Sequence, residues 1–201
     1  MRLGIYGGTF DPIHYGHLVL AEQCREQCQL DEVWFVPAAH PPHKLDATIS
    51  SAKARCEMIE FAIAGHPHFK LSRMELERTG PSFTVTTLEQ LRAEDESREL
   101  FLLIGADSLH DLPHWREPQR IFEMATVVTV NRGDRSLPDR SLLERQLGPA
   151  EAARLRFVQM PGIDISASDI RQRSIEGRSI RYLVPRAVEA YIAHNRLYLK
   201  G

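Results

Sequence analysis

The chain has 201 residues, 43% of them hydrophobic and 26% charged, a length and balance sufficient to bury a core of its own. Its 25 Lys and Arg against 27 Asp and Glu leave a formal net charge of -2, which excludes bulk attraction to nucleic acid or to an anionic membrane. The 3 cysteines have no paired spacing, which argues against a disulfide framework, and no apolar run is long enough to span a bilayer.

In chain order, Leu3-Gly4-Ile5-Tyr6 reads as a buried first strand. It runs directly from the N-terminus without a signal-peptide pattern, so the expected compartment is the cytoplasm. A glycine-rich turn follows. Leu18, Ala21, Cys24 and Cys28 then recur at steps of three and four, the spacing of a helix with small thiols facing the core. Glu32–Val36 is a second strand stopped by Pro37, and a loop rich in Pro and His comes next. A helix is predicted from about Ser51, with Ala52, Cys56, Ile59 and Ile63 on one face. Alternation predicts a strand over Phe69–Leu76 and a helix over Thr84–Ala93 capped by Ser82 or Thr84. Leu100–Ile104 is wholly apolar and bounded by Gly105, as a central parallel strand would be. Thr126–Val130 and Leu155–Val158 complete the strands. Between them, residues 132–150 read as a polar surface excursion with one short helix. Helices are expected over Asp169–Glu176 and Pro185–Asn195, the second turning Val188, Tyr191 and Ile192 inward.

Alternating strands and helices imply an α/β fold, a Rossmann-like doubly wound parallel sheet with ligands beyond the strand carboxyl ends. The chain reads as a single unit over residues 1–201, with a core over about 1–165 and a small C-terminal helical part over about 166–201.

The segment Gly7-Gly8-Thr9-Phe10-Asp11-Pro12-Ile13-His14-Tyr15-Gly16-His17-Leu18 sits at the first strand-to-helix turn. Gly7 and Gly8 would let the backbone approach a ligand and adopt unusual angles, and the free N–H groups of the helix start favour an anion. His14 and His17 add two donors across Gly16, so a polyphosphate is the expected guest. The pair could also be structural or a partial zinc site, although no further ligands cluster locally. Asp11, followed by Pro12, reads as a turn-shaping residue.

This segment resembles the signature of the H-x-G-H nucleotidyltransferases, and within them the chain is similar to bacterial nicotinate mononucleotide adenylyltransferases. Further motifs follow in order: Pro41-Pro42-His43-Lys44, Pro81-Ser82-Phe83-Thr84, Gly105-Ala106-Asp107 and Ile165-Ser166-Ala167-Ser168-Asp169-Ile170-Arg171. The resemblance implies the nucleotidyltransferase fold and an ATP site built from Gly7, Gly8, Thr9, Phe10, His14, His17, Gly105, Asp107, Ile165, Ser166, Ser168 and Arg171. His17 would lie nearest the α-phosphate, with Thr9 and Phe10 contributing backbone N–H groups. Lys44, on a proline-stiffened loop, would reach the phosphates of the reacting pair; an exposed loop lysine is the alternative. His40 and His43 receive no role.

Ser166, Ser168 and Arg171 would form a third phosphate element, or a plain helix cap with a surface arginine. Ala167 departs from the family's usual Ile-Ser-Ser-Thr pattern and removes one hydroxyl. Asp107 would contact the adenosine part or cap the helix that follows. Thr84 and Trp115 match the positions that hold the pyridine nucleotide, the indole face serving as a stacking surface, although Trp115 could equally be core.

His14, His17, Lys44 and Arg171 are therefore the candidate catalytic residues, and Lys44, Thr84 and Trp115 the candidate mononucleotide contacts. The expected reaction joins ATP and nicotinate mononucleotide into deamido-NAD and pyrophosphate. The expected metal is Mg carried by the triphosphate, with no protein metal cage. Alternatives are the same chemistry on nicotinamide mononucleotide, phosphopantetheine or a flavin mononucleotide, or a silent nucleotide-binding regulator. The expected partners are small-molecule substrates, with no nucleic acid and no membrane, and these features leave monomer and homo-oligomer equally open.

Overall fold

The computed structural model describes residues 1–39, 49–132 and 140–199. Six parallel strands form one sheet in the order β3-β2-β1-β4-β5-β6. They are β1 (Arg2–Gly8), β2 (Glu32–Pro37), β3 (Phe69–Leu71), β4 (Glu99–Gly105), β5 (Ala125–Arg132) and β6 (Leu155–Met160). Chain order reverses between β1 and β4, so the topological switch point lies where Gly7, Gly8 and Gly105 end their strands.

Side-chain alternation along β4 divides the core. Phe101 and Leu103 join Ile13, Cys24, Cys28, Met58, Ile59 and Val188 on one face. Leu100, Leu102 and Ile104 join Val85, Leu88, Leu109 and Ile121 on the other. The first face is covered by α1 (Tyr15–Cys28), α2 (Ala52–Ile63), α8 (Ala167–Ile175) and α9 (Arg186–His194). The second is covered by α3 (Thr84–Glu94), α4 (Ala106–Asp111) and α5 (Pro118–Met124), with α6 (Arg140–Leu147) and α7 (Pro149–Ala153) beside β6. A 3-10 turn, Leu112–His114, joins α4 to the segment carrying Trp115. Both sheet faces are thus buried, which is why β4 carries five consecutive buried apolar residues instead of an alternating pattern.

Several elements differ from the sequence reading. β1 is longer than predicted and takes in both glycines. Neither has a left-handed backbone; it is Phe10 that turns the chain, at φ 50°. β3 ends at Leu71, because Leu76 N–H and Glu77 N–H bond back to the Arg73 carbonyl and curl the rest of the predicted strand into a turn. Phe83, not Ser82 or Thr84, caps α3, since the Ser82 hydroxyl accepts from Ala39 N–H at 2.9 Å instead. The excursion before β6 holds two short helices, the second started by Pro149. Leu18 is only half-buried, and Leu20 takes the core position in its place. The 3 cysteines are free and buried; burial raises the Cys24, Cys28 and Cys56 thiols above their usual range. Among the described residues, no helix is long and apolar enough to cross a membrane.

Candidate active site

A cleft of about 550 Å³ opens at the switch point. Its floor is the end of β1 (Tyr6, Gly7, Gly8) and of β4 (Leu102–Gly105). The turn after β1 brings in Thr9, Phe10, His14 and Gly16, and the first turn of α1 brings His17. Gly7 is open to the cleft: a Cβ there would meet nothing within 4 Å. Gly8 is different, since a Cβ there would lie 2.9 Å from the Phe10 ring.

The two histidines are set by the helix start. His14 is the N-cap of α1 and 5% exposed. Its backbone N–H donates to His17 Nδ1 at 3.3 Å, and the two imidazoles stack with centroids 3.6 Å apart and planes 21° apart. An Nδ1 that accepts fixes the neutral tautomer with the proton on Nε2, so His17 carries a donor at its outer nitrogen. The Phe10 ring packs edge-on between His17 and Tyr6, with centroids 5.1 Å and 5.4 Å away. Gly16 is needed for closeness, because a Cβ there would lie 3.0 Å from His14 Nδ1.

One rim of the cleft is the segment before α8. Ile165, Ser166 and Ala167 line it. Ser166 is the N-cap of α8, its hydroxyl accepting from Asp169 N–H at 3.2 Å and lying 3.1 Å from the Ser168 hydroxyl. Ser168 and Arg171 are not among the lining residues. Arg171 Nη1 instead donates to the Asp11 carbonyl at 2.7 Å, behind the histidine turn.

The opposite rim is built from Ser82, Phe83 and Thr84 at the start of α3, and from His114, Trp115 and Arg116 after α4. Trp115 is half-buried, lining this cleft while packing against the second core. Sequence reasoning passed over Arg116, whose guanidinium lies 4.8 Å above the Phe83 ring, and Glu75, a buried carboxylate in the lining that accepts from the Thr87 hydroxyl. The Glu75 signal was hidden inside the apparent strand alternation. Asp107 is the second residue of α4, at the carboxyl end of β4, but its side chain lies outside what is described. Lys44, His40 and His43 also lie outside the described residues. Among the described residues, no group of three or more His, Cys, Asp or Glu side chains is placed to hold a metal ion.

Chemically, the cleft offers backbone N–H groups, imidazole donors and a serine-capped helix start at one end. At the other it offers an aromatic wall and an arginine. The first suits a polyphosphate and the second a flat ring bearing negative charge.

Comparison with known proteins gives the same direction. Residues 5–173 match the cytidylyltransferase-like family. A protein of Thermomicrobium roseum, described as a probable nicotinate-nucleotide adenylyltransferase, is 48% identical over 197 residues, covering 98% of this chain and 91% of its own. One of Thermus thermophilus with the same description is 46% identical over 200 residues, covering 98% and 100%. Among solved structures, the Plasmodium falciparum nicotinic acid mononucleotide adenylyltransferase complexed with NaAD aligns with a TM-score of 0.80 over 98% of this chain and 97% of its own. At 20% identity that likeness is one of fold.

Proposed function

The chain belongs to the nicotinate-nucleotide adenylyltransferase family, and from that premise we propose that it joins ATP to nicotinate mononucleotide, giving deamido-NAD and pyrophosphate. The observation that carries this reading is the single cleft in which His14 and His17 face one end and Thr84 and Trp115 the other. One continuous surface can hold both reactants with their phosphates meeting in the middle.

The nucleophile is a phosphate oxygen of the mononucleotide, already mostly ionised at neutral pH because the second phosphate pKa is about 6. It attacks the α-phosphorus of ATP in line; a P–O bond forms there as the bond from the α-phosphorus to the bridging oxygen breaks, and pyrophosphate leaves with that electron pair. No proton has to be removed from the nucleophile. The protein's work is therefore alignment and the neutralising of charge on two anions. In this reading His17 donates through Nε2 to the α-phosphate, where charge builds in the transition state. The backbone at Gly7–Phe10 and the serine-capped start of α8 hold the remaining phosphate oxygens. Lys44 would contact the reacting phosphates, and Asp107 would meet the adenosine ribose from the head of α4. Mg enters as part of the nucleotide substrate, where it offsets triphosphate charge. Trp115 stacks on the pyridine ring while the N–H groups at the start of α3 meet its carboxylate. A cytoplasmic location belongs to the same proposal: the 3 free buried thiols fit a reducing compartment.

The test is a product assay with purified protein, ATP and Mg, offering nicotinate mononucleotide, its amide and phosphopantetheine separately. Dinucleotide and pyrophosphate formed in equal amounts from the nicotinate substrate support the reading. Turnover only with another acceptor moves the pathway, and ATP binding without turnover of any acceptor returns the silent regulator.

A further inference from the structure

The turn that aims the two histidines is not held by its own residues. Asp11, 3% exposed, is its centre. The Asp11 carboxylate accepts the Ser50 N–H on Oδ2 at 3.1 Å and the Tyr198 hydroxyl on Oδ1, and the Asp11 carbonyl accepts Arg171 Nη1 at 2.7 Å. Just before it in the chain, the Thr9 carbonyl accepts Arg55 Nη1 at 3.0 Å, while Arg55 Nε donates to the Ser50 carbonyl at 3.2 Å. Arg55 is itself 2% exposed and lies close enough to Asp11 for the two charges to interact. Donors therefore converge on the short stretch Thr9–Asp11 from α2, from the segment before it, from α8 and from the segment after α9. Tyr198 reaches the turn from 187 residues away, and its own backbone is left-handed at φ 62°.

A carboxylate this buried has little water to replace a lost donor. The Tyr198 hydroxyl is held neutral by burial, by the Asp11 charge and by the hydrogen bond, so it remains a donor at working pH. Between Asp11 and His14 lie only Pro12 and the fully buried Ile13, so a shift of the carboxylate passes into the N-cap of α1 with little slack to absorb it. His14 in turn gives its N–H to His17. The linkage runs by hydrogen bond from Tyr198 to Asp11, along the backbone to His14, and by hydrogen bond to His17.

We propose that Tyr198 is a positioning residue for adenylyl transfer: by donating to buried Asp11 it fixes the turn that aims His14 and His17. The role rests on the adenylyltransferase reading above. It gives the segment after α9, which is not part of the cleft lining, an indirect part in catalysis without touching substrate.

The test is steady-state kinetics of Tyr198→Phe, Asp11→Ala and the double variant beside wild type, with thermal melts of all four. Tyr198→Phe keeps the ring and removes only the donor. Its kcat is expected to fall by roughly tenfold to a hundredfold, the scale of a small misplacement of reacting groups, with KM for both substrates changed less than about threefold. In the Asp11→Ala background the same substitution should change kcat less than about twofold, because the acceptor through which it acts is already gone. A purely architectural role would lower the melting temperature and leave kcat intact below it. Full kcat in folded Tyr198→Phe, or multiplicative losses in the double variant, overturns the proposal. Should Tyr198→Phe melt below the assay temperature, Asp11→Ala alone carries the test: kcat unchanged there overturns it. Wild type reports separately on the parent reading: no dinucleotide from wild type with any acceptor overturns both, whereas an active wild type beside a fully active variant removes only the role of Tyr198.

Discussion

Two adjacent glycines make opposite predictions when each gains one methyl group. At Gly7 the added Cβ meets nothing within 4 Å, the backbone is not left-handed, and the position lines the cleft. Gly7→Ala should therefore melt about 1–4 °C above wild type, since an ordinary backbone accepts alanine without strain and the unfolded chain loses freedom. The methyl projects into the space where the triphosphate is proposed to approach the strand end. Keeping one charge-assisted hydrogen bond from forming costs about 1.5–3 kcal/mol, so KM for ATP should rise about 10- to 150-fold. At Gly8 the Cβ falls 2.9 Å from Phe10 Cζ and 3.1 Å from both Cε atoms, so the whole ring has to move. That ring is 2% exposed and packed among Tyr6, Phe35 and His17, with centroids 5.1–5.7 Å away. Overpacking of this kind costs about 1–3 kcal/mol, which for a chain of this size is a melting point lower by about 2–12 °C. Differential scanning fluorimetry and ATP saturation curves on both variants read the two effects. A Gly7→Ala protein with unchanged KM for ATP would refute the close approach of phosphate to β1. A Gly8→Ala protein as stable as wild type would refute the fixed position of Phe10.

Other substitutions separate the two ends of the cleft. His17→Ala should lower kcat by two orders of magnitude or more, as loss of a single preorganised donor to developing charge does, while the fold survives; near-normal turnover in a folded variant refutes the role given to Nε2. Trp115→Ala should raise KM for the mononucleotide more than for ATP, and an effect on ATP alone would mean that the acceptor is placed at the wrong rim. With burial raising all three cysteine thiols, a thiol reagent at pH 8 should label almost none of them in native protein and all 3 after denaturation. Rapid native labelling would show that the core over α1 and α2 opens.

The sequence made legible whatever local chemistry controls. The wholly apolar run at β4 and the 3.6-residue spacing of α1 and α2 each announce an element by its pattern, and these elements stand where they were read; Gly105, read as the strand's boundary, is its last residue. The H-x-G-H segment marked the strand–turn–helix junction and both histidines that line the cleft. What stayed hidden depends on partners distant along the chain. Ser82 looked like a helix cap until Ala39 N–H took its hydroxyl, a pairing across 43 residues. Apparent alternation past Leu71 was a turn whose Glu75 is buried against Thr87, and period alone does not distinguish the two. Gly7 and Gly8 were expected to supply unusual backbone angles; the angle is at Phe10, and the glycines supply room. Arg171 was read as a phosphate ligand from its motif, yet one of its nitrogens holds the Asp11 carbonyl, which no local pattern encodes.

The central claim is transfer of an adenylyl group from the α-phosphorus of ATP to the mononucleotide phosphate. It is tested most directly by incubating the protein with nicotinate mononucleotide, Mg and ATP radiolabelled at the α-phosphorus. The account predicts that label moves into the dinucleotide, one for each pyrophosphate released, and that pyrophosphate stays cold. Label left in AMP, or found in no dinucleotide while ATP is consumed, would contradict it.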